Sequence, residues 1–277
     1  MHLDVTQLRN FYYRTALGRA AQGVIRGELV KFWPEAKSQT VIGFGFAVPM
    51  LRPFLADARR VIGLMPAAQG VAPWPAGMPN VSVLTAEESW PLETGVADKI
   101  VVLHGLEVSD EPGALLDEIH RVLGPGGRAV IIVPNRVGLW ARRESTPFGF
   151  GRPYTLPQLE NQVTGHGFLA EKHAAVLFQP PSNRAFWLKS GRALERMGRW
   201  VPSYLAAGVL MLEVTKRVQT PLQGGIRRRV RRPLEIIEGI GQPEPAPSRK
   251  IPCASARPAK NPRQCGCGRK TPLLWRA

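Results

Sequence analysis

"DKIVVLHGLEVSDEPGALLDEIHRVLGPGGRAVIIVPN", residues 98–135, reads as a strand, a helix and a second strand in succession. The piece "DKIVVLHGL" (98–106) is short, apolar and β-branched, which predicts a strand. "PGALLDEIHRVL" (112–123) predicts a helix, because Pro112 suits a first turn and "GPGG" can close it. "GRAVIIVPN" (127–135) predicts another strand. Strands that are apolar almost throughout are buried on both faces. That favours a mostly parallel sheet with helices on either side, and ligands at the carboxyl ends of its strands.

The same alternation continues outward. Upstream, "TVIGFGF" (40–46), "RRVIGLM" (59–65) and "NVSVLTA" (80–86) predict three strands. Before them, residues 5–33 place Leu8, Tyr12, Leu17, Ala21, Ile25 and Leu29 at helical spacing, so two helices precede the core. Downstream, "TLPQLENQVTGHG" (155–167) predicts a short helix with a glycine stop. "EKHAAVLFQPP" (171–181) and "GVLMLEVTKRV" (208–218) predict two strands around a helix at 185–199. No internal repeat is present. From about residue 219 the periodicity stops, and Pro, Arg and Gly dominate. The expected organisation is therefore N-terminal helices over 1–38, an α/β domain over 39–218, and a disordered basic tail over 219–277.

The chain has 277 residues, 44% of them apolar, which suffices for one large domain and a tail. The formal charge is +16, yet residues 217–277 alone hold 14 Lys/Arg against 3 Asp/Glu. Within the tail, "RRRVRR" (227–232) leaves three readings open: a nucleic-acid contact, an anionic membrane contact or a solvated run. Aromatics to stack bases are absent around it, and Trp275 is the only one in the tail. No segment has the roughly 18–20 apolar residues that span a bilayer, and "VPSYLAAGVLML" (201–212) is too short and contains Pro202. The N-terminus lacks the pattern of a secretory signal. Cys253, Cys265 and Cys267 all lie in the tail. A cysteine-free body fits a reducing cytoplasm, and three thiols are one short of a closed zinc site, so no metal is expected.

"TVIGFGFAVPML" (40–51) places Gly43 and Gly45 after a strand. On its own this is either a tight turn or a backbone left open to a ligand. The opening stretch bears on that choice. In their order and spacing, Asp98, His104, Leu106-Glu107, "LLDEIHRVL", Pro125-Gly126-Gly127 and Pro134-Asn135 resemble the class I S-adenosylmethionine-dependent methyltransferases. The likeness is to the methyltransferase type 11-like domain group, with a divergent cofactor loop, and covers roughly residues 40–218. It implies an α/β, Rossmann-like sheet of seven mostly parallel strands with helices on both faces. S-adenosyl-L-methionine is the implied cofactor. The resemblance implies cofactor contacts at Gly43, Phe44, Gly45, Met65, Thr85, Ala86, Glu87 and His104.

Four positions depart from the pattern. The family's first loop usually runs Asp-x-Gly-x-Gly-x-Gly; here Ile42 precedes Gly43, and Ala47 stands in the last glycine's place. The acid that usually holds the ribose falls near Met65, and a thioether cannot accept two ribose hydroxyls. Thr85 stands where an Asp often lies beside adenine, with Glu87 and Glu88 close by.

Methyl transfer demands mainly alignment, because the sulfonium already activates the methyl group. A general base is needed only for a protonated acceptor, and His104 is the candidate. Its alternative role is packing at the strand end. The loop "NRVGLWARRESTPFGFGRPYT" (135–155) mixes aromatics with arginines. Asn135, Arg136, Trp140, Arg143, Phe148, Arg152 and Tyr154 are expected to form a substrate lid; the alternative is a packed surface loop with a solvated basic face. The expected function is methyl transfer to a small-molecule acceptor in the cytoplasm. Two rivals remain: a catalytically inactive interaction protein of the same fold, and an RNA-binding or RNA-modifying protein that uses the tail. A nicotinamide oxidoreductase would want the third glycine and the ribose acid as well.

Overall fold

A computed structural model describes residues 3–198 and 206–217. The basic run, the three cysteines and the rest of the tail lie outside the described residues. The chain opens with α1 (Val5–Arg9), a π-helical turn (Asn10–Arg14) and α2 (Ala16–Phe32). Asp4 caps α1, its side chain accepting from Thr6 N–H, and Thr15 caps α2 by accepting from Gly18 N–H. Seven strands follow in the spatial order β3-β2-β1-β4-β5-β7-β6. They are β1 (Thr40–Gly45), β2 (Arg60–Pro66), β3 (Ser82–Thr85), β4 (Ala97–Leu103), β5 (Leu123–Pro134), β6 (Phe168–Val176) and β7 (Val209–Lys216). All neighbouring pairs from β3 to β5 are parallel; β7 runs antiparallel to both β5 and β6.

Residue alternation splits the core in two. On one face Val41, Val101, Leu103, Val130 and Ile132 pack with Leu17, Ala21, Ile25 and Leu29 of α2. On the other, Ile42, Ile100, Val102, Ala129 and Ile131 meet α4 (Pro112–Val122) and α5 (Leu156–Gly165). Both faces are therefore dry, which is why the central strands read as continuous apolar runs. Trp33, at the end of α2, donates from Nε1 to buried Glu213 of β7 at 2.8 Å. This contact fastens the N-terminal helices across the sheet. The helix after β1, α3 (Val48–Leu51), is a single turn followed by a 3-10 turn at Arg52–Phe54.

Several element ends differ from expectation for local reasons. β4 stops at Leu103 rather than 106, because His104 turns the chain at φ 52°. "GPGG" lies within β5 instead of capping α4; Leu123 is already extended and pairs with Ala97. β6 starts at Phe168, directly after Gly167 at φ 81°, and ends where Leu177 takes φ 62°. The helix foreseen at 185–199 spans Ala185–Gly198. Among the described residues, no helix is long and apolar enough to cross a membrane.

Candidate functional site

The site is built at the carboxyl ends of β1, β2 and β4. Gly45 turns there at φ 76°, and Phe46 N–H donates to Leu103 O at 2.7 Å. A Cβ on Gly45 would lie 2.3 Å from Leu103 O and 2.8 Å from His104 O. A Cβ on Gly43 would meet the Leu51 side chain at 2.7 Å and Ala47 Cβ at 3.0 Å. Both glycines are thus closed over by the chain itself. Phe44 points to the opposite face and stacks on Trp90, with ring centroids 5.0 Å apart.

His104 stands beside this turn, fully buried. Tyr12 Oη lies 2.7 Å from His104 Nε2, and Glu107 Oε1 lies 3.0 Å from His104 Nδ1. A carboxylate only accepts, so Nδ1 carries the ring proton and Nε2 accepts from the Tyr12 hydroxyl. Glu107 Oε2 is buried without a hydrogen-bond partner. Burial, reinforced by the Glu107 charge, pushes the Tyr12 phenol well above its ordinary value. The Gln69 side chain donates to the backbone carbonyl of His104.

The 135–155 loop completes that enclosure. Phe148 packs on the His104 ring at 4.8 Å, and Trp140 meets Phe148 edge-on at 5.6 Å. Trp140 donates from Nε1 to Gln179 O, and Asn135 donates from Nδ2 to Ala207 O. Tyr154 is buried, and its phenol is raised by desolvation and by Glu107. Arg152 N–H donates to Glu107 O at 2.6 Å. The side chains of Arg136, Arg143 and Arg152 face outward. The aromatic half of the loop therefore meets His104, while its arginines lie on the other side.

A cavity of about 270 Å³ opens next to this cluster, between the N-terminal helices and the ends of β1 and β2. Phe46, Val48, Met65, Ala72 and Trp74 form its apolar wall; Arg9, Asn10, Tyr13, Arg14 and Arg52 stand around it. Ala72 N–H points at Met65 Sδ, 3.4 Å away. The Tyr13 phenol and Trp74 both line the cavity. Burial pushes that phenol up, while Trp74, Arg52, Arg9 and Arg26 oppose the push.

Of the cofactor contacts expected from sequence, Met65 lines the cavity. Gly43 and Gly45 shape the turn beneath it. Thr85 spends its hydroxyl on Ser89 O at 3.1 Å, Ala86 is exposed, and Glu87 accepts from the Ser109 hydroxyl at 2.7 Å. His104 is separated from solvent by Tyr12 and Phe148. Sequence reasoning took Tyr12 for core and passed over Arg9, Asn10, Arg52 and Trp74. Nothing local in those residues marks them, since the cavity draws them from separate segments. Among the described residues, no cluster of potential metal ligands is present.

Residues 42–131 match the family described as "Methyltransferase domain". No curated protein matches the chain. Among solved structures, an S-adenosylmethionine-dependent methyltransferase from Thermotoga maritima is similar at a TM-score of 0.52 and 17% identity. That alignment covers 76% of this chain and 95% of the other. The [4+2]-cyclase SpnF is similar at 0.50 and 17% identity, over 74% of this chain and 84% of its own. Likeness at this level speaks to the fold, and a methyltransferase and a cyclase sharing it show that the fold alone does not set the reaction. The matched segment spans about a third of the chain, and together with the strand order it resembles a class I S-adenosylmethionine-dependent methyltransferase domain, a family whose cofactor is S-adenosylmethionine.

Proposed function

We propose that the chain transfers a methyl group from S-adenosylmethionine to a small-molecule acceptor. The cavity beside Met65 carries this reading, because its Phe46, Val48 and Met65 wall lies at strand ends of the family-matched segment, with the N-terminal helices closing the other side. Phe46, Met65 and Trp74 suit a flat nucleoside body. Thr6, Asn10 and Tyr13 are neutral polar side chains on the cavity, placed to meet ribose hydroxyls in place of the missing acid. The cofactor, when bound, supplies a methyl group already activated on a sulfonium. The protein's task is then to orient the acceptor and exclude water.

For a protonated acceptor, Glu107 holds the proton on His104 Nδ1 and leaves Nε2 basic. Tyr12 occupies Nε2 in this structure, so an acceptor hydroxyl reaches it only where Tyr12 gives way. The aromatic side of the 135–155 loop would wall the acceptor. The cysteine-free body supports a cytoplasmic setting. Isothermal titration with S-adenosylmethionine and S-adenosylhomocysteine tests the proposal: binding of both is expected, and binding of neither at millimolar ligand overturns it. The sealed His104 favours one second reading, an interaction protein of this fold without transfer. It predicts that neither compound binds and that a stable partner co-purifies.

A further inference from the structure

We infer that Arg9, Arg14 and Arg52 form an anion-binding subsite at the mouth of the cavity, taking a carboxylate or phosphate group of the molecule held there. This builds on the reading of the cavity as a ligand site, and does not require methyl transfer. The three guanidinium groups come from separate elements: the last residue of α1, the last of the π-helical turn and the first of the 3-10 turn. All three line the cavity, and no Asp or Glu does. None makes an ion pair or side-chain hydrogen bond among the described residues.

Other arginines of the chain are treated differently. Arg121 is paired with Glu118, Arg128 with Glu213 and Arg59 with Asp98. Three like charges left together at one opening repel each other, and a bound anion relieves that repulsion. Arg52 and Arg9 also act on the Tyr13 hydroxyl, which lines the same cavity. Guanidinium forks match carboxylate and phosphate oxygens in two-point contact. The neighbouring α3, only four residues long, is too short to supply an anion site from its own backbone. Positive charge at this end of β1 therefore comes from side chains. Phe46, Met65 and Trp74 behind the arginines add that the ligand carries an apolar, flat body next to its charge.

Titration of the full chain with sodium pyrophosphate, without any nucleoside, reads the subsite directly. Millimolar or tighter binding is expected, with R14Q and R52Q each weakening it about tenfold and the triple variant R9Q/R14Q/R52Q losing that site. All three side chains are exposed, so unchanged thermal midpoints should accompany these losses. S-adenosylhomocysteine and 5′-methylthioadenosine then separate two sources of the anion, because only the first has a carboxylate. Should the cofactor's carboxylate fill the subsite, pyrophosphate competes with S-adenosylhomocysteine, and the variants weaken it while sparing methylthioadenosine. Should an acceptor's anion fill it, pyrophosphate and S-adenosylhomocysteine bind together, and the variants spare both nucleosides. No pyrophosphate binding at about 10 mM overturns the inference. So does a triple variant that binds with unchanged affinity and stoichiometry, since other basic segments would then be responsible. Failure of S-adenosylmethionine to bind would sink methyl transfer and leave the pyrophosphate result readable.

Discussion

Gly43 and Gly45 look alike in the sequence and do different work. A methyl group at Gly45 runs into backbone oxygens of Leu103 and His104, in a conformation that side chains disfavour. At Gly43 the first obstacle is the tip of the Leu51 side chain, which can turn aside, with Ala47 Cβ behind it. Urea unfolding should show G45A losing at least about 2 kcal/mol, and G43A less, on the scale of local overpacking. Tyr12 offers a second test. Y12F leaves His104 Nε2 buried without its donor, at a cost of about 1–3 kcal/mol. The phenol's raised pKa sets the sign of the pH effect. Below the ordinary value of 10.0 the folded and unfolded phenols are both neutral, and the contribution of Tyr12 is fully present. Above 10.0 the unfolded phenol ionises first, so stability falls as pH rises toward the folded value. Urea midpoints measured across that alkaline window should fall less steeply in Y12F than in the wild type.

Elements carry the next level of organisation. The π-helical turn between α1 and α2 sends Tyr12 inward to His104 and leaves Asn10, Tyr13 and Arg14 on the cavity. Successive residues of one turn thus serve two neighbouring environments. On the opposite face, α4 is tied to the chain before β4 through Glu118. Its carboxylate accepts from Trp90 N–H at 2.6 Å and from two nitrogens of Arg121. The Arg121 hydrogen bond, helped by Trp90, holds the Glu118 pKa below the ordinary 4.5 despite partial burial. That contribution is present above pH 4.5 and is lost as pH falls through the lowered value. E118Q should therefore flatten the acid limb of the stability profile, read as thermal midpoints from neutral pH downward, and leave Trp90 an amide oxygen to donate to.

At the scale of the whole molecule, the sheet was legible because each strand announces itself locally. Val41 and Ile42, or Val101 and Val102, are both apolar because both faces are covered, and no partner need be known to see it. The count of seven mostly parallel strands followed from the resemblance carried by residues 98–135, whereas their spatial order is read from the structure. The basic excess of residues 217–277 sits after β7, which ends at Lys216. A chain ending at residue 217 should keep its unfolding midpoint within a few degrees, since a shift of ~1 kcal/mol would appear as about 2–4 °C in a domain of this size. If the tail contacts RNA, the same truncation should abolish salt-dependent RNA retention in filter binding; unchanged retention would remove the tail from consideration.

Sequence alone determined the alternation of buried strands with helices, the glycine turn after β1 and the absence of an acid at Met65. These are properties of a residue and its near neighbours. The tertiary structure decided what surrounds that turn. Tyr12 reaches His104 across 92 positions, Phe148 packs on the same ring, and Arg9, Arg14 and Arg52 meet around one cavity. Helical spacing showed that Tyr12 faces inward, but periodicity has no means of naming the side chain it will face. That depends on where the sheet brings β4 back beneath the N-terminal helices.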